Sequence, residues 1–192
     1  LTRLFIGSRT LMRDVYRISF KYLAMIGFPI ASGLAILAPR IILLWRPDYM
    51  AAVTSLRILT VALFLMFLNG LMGYTMITAD RQKAFMKIVG GGACLNIIFN
   101  LVVIPRYGIV GAASVTVCSE MFAALCCGFL LSRKYELSGS LSDFLKMSLS
   151  CAIMCVAAIG CSRMPLLIVV AVSAIVYVFV LVILGVLGKD EL

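Results

Sequence analysis

From Leu166 to Leu187 the chain reads LLIVVAVSAIVYVFVLVILGVL, a run without a single charged side chain. At about 1.5 Å of rise per residue, a helix of that length spans the roughly 30 Å hydrocarbon layer of a bilayer. In lipid every backbone amide must find its partner within the protein, so such a run is constrained to be a membrane-spanning helix. Five further segments of similar length precede it: Tyr22–Trp45, Leu56–Ala79, Phe85–Ile104, Gly108–Ser132 and Leu141–Gly160. A membrane β-barrel is a poor alternative, because its strands alternate in polarity over about ten residues. Hydrophobic residues make up 64% of the chain and charged ones 13%, far from the balance of a water-soluble domain. The expected fold is therefore an all-α integral membrane protein with six transmembrane helices.

Charge sets the direction of the spans. Twelve of the 17 Lys and Arg fall on the side holding residues 1–21, the loop around Asp80–Lys87, the Ser132–Lys146 connection and the tail, and five on the other. Positive charge favours the cytoplasmic side, so both termini of this segment are expected there, with Trp45 at the outer interface. The net charge of +9 sits in short loops between apolar spans, which argues against nucleic acid as a partner. The terminal Lys189-Asp190-Glu191-Leu192 matches an endoplasmic-reticulum retention signal, but a cytoplasmic tail lies beyond the reach of its lumenal receptor. The chain starts at Leu1 with no initiator methionine and is read as the C-terminal part of something longer. It divides into a cytoplasmic basic loop (1–21), a four-helix part (22–132), a cytoplasmic loop (133–146) and two C-terminal helices with a tail (147–192). Ser138-Gly139-Ser140 is its one linker-like spot.

The chemical inventory is sparse. The seven cysteines are odd in number, lie mostly inside apolar spans and have no histidine beside them, so they read as small packing residues rather than as disulfides or metal ligands. No paired carboxylates, nucleophile–base partnership or phosphate loop is visible. The chain is read as no enzyme, with no cofactor and no metal.

What stands out is polarity at depth. Gly92, Asn96 and Asn100, four residues apart, share one helix face. Such a face either packs against another helix, with amides bonding across it, or borders a wet cavity where the amides meet a polar ligand. Glu120 lies roughly 18 Å in from the Gly108 end of its span, with Thr116 one turn away. A charge there costs at least about 2.5 kcal/mol, so it either holds helices together or serves function. Pro29 and Gly33 interrupt the first span, as a static kink or as a hinge. Arg40 is either an interfacial anchor or a basic contact near the outer mouth. The candidates for a substrate path are Asn96, Asn100, Glu120, Thr116 and Arg40, and the hinge candidates are Pro29 and Gly33.

The order of these pieces resembles a known family. Gly27-Phe28-Pro29, then Asn96 and Asn100 ahead of Ile104-Pro105-Arg106-Tyr107-Gly108, then Gly111-Ala112-Ala113 and Glu120, are similar to the C-terminal half of polysaccharide-biosynthesis (O-antigen) flippases. These belong to the multidrug/oligosaccharidyl-lipid/polysaccharide exporter superfamily. The resemblance covers about Lys21 to Glu120. It implies a twelve- or fourteen-helix transporter of two lobes in the bacterial inner membrane, of which this chain is the C-terminal portion. It implies alternating access that moves a polyprenyl-diphosphate-linked oligosaccharide across the bilayer, with a polysaccharide polymerase or export machinery as candidate partners. In a fourteen-helix parent the last two helices correspond to those that, in lipid II flippases, form a groove for the lipid tail. The chain departs from the family in having no arginine at mid-depth, so the resemblance assigns it no diphosphate contact. The alternatives are a multidrug or cation antiporter of the same superfamily and a non-transporting scaffold of a polysaccharide-assembly complex.

Overall fold

A computed structural model describes residues 9–45, 47–135, 141–161 and 164–186. Five α-helices follow in order: α1 Arg9–Trp45, α2 Ala52–Thr78, α3 Gln82–Tyr135, α4 Leu141–Gly160 and α5 Leu166–Ile183, with a single 3-10 turn at Pro47–Tyr49. All five are long and apolar enough to cross a membrane.

The sixth span is hidden inside α3. Its 54 residues would make a rod of about 80 Å, but Gly108 breaks it at φ 55°, ψ −137°, a backbone conformation open only to glycine. The two limbs then run back along each other: Asn96 meets Ser119, and Phe122 lies against the backbone at Gly92. Gly111 makes the fold-back tight, since a Cβ there would stand 2.6 Å from Val103 Cγ1 and 2.9 Å from Tyr107 Cβ. The expected turn at Ile104–Gly108 is thus helical as far as Tyr107 and reverses at the glycine. Gly108→Val is expected to cost about 1–3 kcal/mol through the forbidden φ. The readout is a lower unfolding temperature of the purified protein in detergent.

The first expected boundary needs correction. Residues 9–21 are not a basic loop but the opening three turns of α1. Met12, Tyr16 and Phe20, at a spacing of four, give this stretch an apolar stripe; Met12 packs on buried Met76 and Leu131, and the Tyr16 and Phe20 rings stack 6.2 Å apart. Charge counting saw the arginines and passed over the stripe between them. The loop assigned to 133–146 is likewise shorter, because α3 runs to Tyr135 and α4 begins at Leu141. At the other ends, α1 stops at Trp45 ahead of Pro47, and α5 stops at Ile183 because Gly185 turns left-handed (φ 64°) and lets Val186 N–H reach Leu181 O. The Ser138-Gly139-Ser140 spot, Arg3, Arg46, Arg163 and the Lys189–Leu192 tail lie outside the described residues.

Helix α1 holds the assembly together. One side packs on α2 where Gly27 admits Phe64, whose ring would stand 3.2 Å from a Cβ added at that position. Another packs on α4 and α5 through a cluster of Ala24, Met147, Cys151, Met154, Tyr177 and Leu181, continued by Leu37, Ala158 and Val169. Helices α2 and α3 close on each other where Gly73 meets the Phe85 ring and Met76 meets Leu131. The outward faces stay apolar: Leu167 is 82% exposed, Phe179 64% and Trp45 84%, as expected of surfaces that meet lipid. Among the described residues all seven cysteines are free, with Cys127 and Cys151 buried in the packing.

Candidate substrate path and lipid groove

The polar residues at depth gather where α2 and the two limbs of α3 meet. The first limb brings Asn96 and Asn100, the second Thr116, Ser119 and Glu120, and α2 brings Asn69. Asn100 Nδ2 donates to Asn96 Oδ1 at 2.9 Å, Asn96 Nδ2 donates to Ser119 Oγ at 3.0 Å, and Ser119 Oγ donates to the Thr116 carbonyl at 2.9 Å. One residue further on, Glu120 Oε2 accepts from Asn69 Nδ2 at 2.7 Å, and the same amide also donates to the Glu120 carbonyl at 2.9 Å. The hydroxyl of Thr116 bonds back to Ala112 O at 3.0 Å. Four of the five path candidates therefore lie in two hydrogen-bonded groups, Asn100–Asn96–Ser119 ending on the Thr116 carbonyl and Asn69–Glu120, which adjoin at the consecutive residues Ser119 and Glu120.

The network is incomplete as an acceptor. Asn69 Oδ1 and Asn100 Oδ1 are buried and receive no hydrogen bond. An unfilled buried acceptor costs about 1–3 kcal/mol, so amides that only held helices together would be expected to close such gaps. Both openings suit a hydroxyl donor. Asn69 and Ser119 are not among the sequence candidates: nothing but its position four residues before Gly73 marks Asn69 in the sequence, and Ser119 is recognisable only once the hairpin places it opposite Asn96.

Arg40, the fifth path candidate, lies apart. Its Nη1 donates to Met164 O at 3.3 Å and ties the end of α1 to the turn between α4 and α5. The hinge candidates belong to a second feature. Pro29 and Gly33 line an apolar cavity of about 640 Å³ between α1, α4 and α5, walled also by Leu37, Met154, Ser173 and Tyr177. A Cβ added at Gly33 meets nothing within 4 Å, so the groove is open at that point. Ser173 Oγ, buried in its wall, has no hydrogen-bond partner among the described residues. Among the described residues no three His, Cys, Asp or Glu side chains come together.

No family model matches the chain. A search of solved structures finds the lipid II flippase MurJ in an inward closed conformation, with a TM-score of 0.72 and 21% identity over 96% of this chain and 44% of that one. The fold is shared. A curated relative, the uncharacterised membrane protein MJ1068 of Methanocaldococcus jannaschii, is 34% identical over 100 residues, which are 51% of this chain and 20% of that protein. The chain thus spans less than half the length of either. The MurJ fold covers all five helices of this chain, α4 and α5 included, where the sequence resemblance had stopped at Glu120.

Proposed function

We propose that this chain forms part of a flippase that carries a lipid-linked oligosaccharide across the cytoplasmic membrane by alternating access. The observation that carries this reading is the pairing of two compartments of opposite chemistry on one fold: an aliphatic groove of about 640 Å³ and a separate hydrogen-bonding network with two open acceptors. A polyprenyl tail and the groove wall are both apolar, so the tail can pass from the bilayer into the groove without hydrocarbon meeting water or polar groups. Sugar hydroxyls are donors of the kind Asn69 Oδ1 and Asn100 Oδ1 lack. The fold shared with MurJ supports the same reading, since that protein is a lipid II flippase.

The substrate proposed is a polyprenyl-diphosphate-linked oligosaccharide or polysaccharide repeat unit, with both termini of this segment cytoplasmic. Depleting the protein in its host is expected to leave lipid-linked oligosaccharide accumulating on the cytoplasmic leaflet, measured by its protection from an impermeant sugar-oxidising reagent. Unchanged leaflet distribution, with sensitivity to cationic drugs instead, would assign the chain to efflux. Survival of export in an Asn100→Leu, Glu120→Leu double variant, alongside its loss on deletion, would favour the scaffold. The orientation has its own check: a cysteine tag after Leu192 is expected to react with impermeant maleimide only in inside-out vesicles.

A further inference from the structure

Helix α1 contains two prolines, Pro29 and Pro39. A proline has no N–H, so the carbonyl four residues earlier loses its helical donor, and the ring crowds that carbonyl as well. The carbonyls concerned are those of Met25 and Ala35. Each is met by a donor from a different neighbouring helix: the Tyr177 hydroxyl of α5 donates to Met25 O at 2.8 Å, and Arg57 Nε of α2 donates to Ala35 O at 3.2 Å. The turn at Pro29 is loosened further by Ser32, whose hydroxyl turns back to Phe28 O at 2.7 Å, with the Cys151 thiol 3.6 Å from the same carbonyl. Tyr177 is otherwise an expensive choice in a helix of aliphatic residues, and its ring is buried to 4% exposure with its hydroxyl pointed at the one carbonyl that Pro29 frees.

We propose that α1 is jointed at Pro29 and Pro39, about 15 Å apart along its axis, and that Tyr177 and Arg57 are the positioning residues that hold the two joints. Tyr177 and Pro29 both line the apolar groove, so a hydrocarbon chain seated there bears on the first joint directly. The second joint, at Pro39, immediately precedes Arg40, which anchors the end of α1 to the α4–α5 turn. The groove can then change width by pivoting α1 between two pinned points while α2 and α5 stay fixed. That this pivoting serves lipid passage rests on the function proposed above; the pinning itself does not.

Hydrogen–deuterium exchange of the full-length protein in nanodiscs tests the proposal. Tyr177→Phe removes one hydroxyl and is expected to speed exchange of amides 26–34 by about two- to tenfold, leaving those of α2 and α3 unchanged. Arg57→Gln is expected to do the same over amides 36–44. The deciding measurement is the double variant: Pro29→Ala gives Met25 O its own helical donor, so Tyr177→Phe in that background should have no effect, whereas in a Pro39→Ala background it should act as in the wild type. Equal effects of Tyr177→Phe with and without Pro29, or none in either, would overturn the proposal. Undecaprenyl phosphate added to the nanodisc is expected to slow exchange over 26–34 in the wild type and not in Tyr177→Phe; equal slowing in both overturns the coupling of groove to joint. If the lipid changes nothing in the wild type while the proline dependence holds, the groove reading fails and the two joints stand.

Discussion

On the proposed function, Gly33→Trp is expected to leave insertion and folding intact and to cut export of lipid-linked oligosaccharide at least about tenfold. The side chain has somewhere to go, because the space beyond Gly33 is open and belongs to the groove. Leaving glycine for a residue with a better helix propensity favours α1 by a few tenths of a kcal/mol, so no loss of stability is expected. The indole would occupy the volume that a stretch of isoprenoid needs. A tenfold loss corresponds to only about 1.4 kcal/mol, which the clash of an isoprenoid with an indole already filling the groove accounts for. Gly33→Ala separates the two roles: it adds one methyl to an open cavity, so a full loss of export there would mean that Gly33 serves as a hinge rather than as groove wall. The checks are export measured in cells and the unfolding temperature of purified protein, and normal export by Gly33→Trp would remove the groove from the substrate's route.

The second large effect is expected at Asn100, where stability and function should part. Replacing it by leucine removes the donor to Asn96 Oδ1 but also removes a buried acceptor that has no partner. The two changes oppose each other, and the folding free energy should move by less than about 1 kcal/mol. If a sugar hydroxyl fills that acceptor during transport, export falls about five- to thirtyfold, equivalent to one or two kcal/mol. Glu120→Leu gives the contrasting pattern, because it takes the carboxylate acceptor from the Asn69 amide, leaving only the bond to the backbone carbonyl at 120, and is expected to cost stability as well as export. Thermal unfolding and export measured on the same samples distinguish the pair. A stability loss at Asn100 with export reduced only in proportion would make the amides packing residues.

Hydropathy and punctuation were enough to read the spans because membrane helices must satisfy their own backbones, and the alphabet that does so is narrow. Leu141–Gly160 has the observed bounds, and the reversal inside α3 falls at the break between the spans Phe85–Ile104 and Gly108–Ser132. The opening of α1 was misread since charge was given priority over the spacing of Met12, Tyr16 and Phe20. The candidate path was legible in part for the same reason as the spans: an amide or carboxyl in an oily run has few excuses. Asn96 and Asn100 do meet, and through Ser119 they reach the Thr116 carbonyl, while Glu120 pairs next door with Asn69; Arg40 does not join them, because a position near a helix end says nothing about which neighbour lies across from it. Partners supplied from another helix were out of reach. Asn69 opposite Glu120, Tyr177 opposite Met25 and Arg57 opposite Ala35 are separated by 51, 152 and 22 residues, and no periodicity links them.

The polar network draws only on α2 and α3, whereas the groove exists only because α4 and α5 lean on α1. The α4–α5 hairpin is therefore separable from the polar residues: a protein of this fold without it would keep the amides of α2 and α3 whole and present the Pro29 face of α1 straight to the bilayer, with no protein wall beside it.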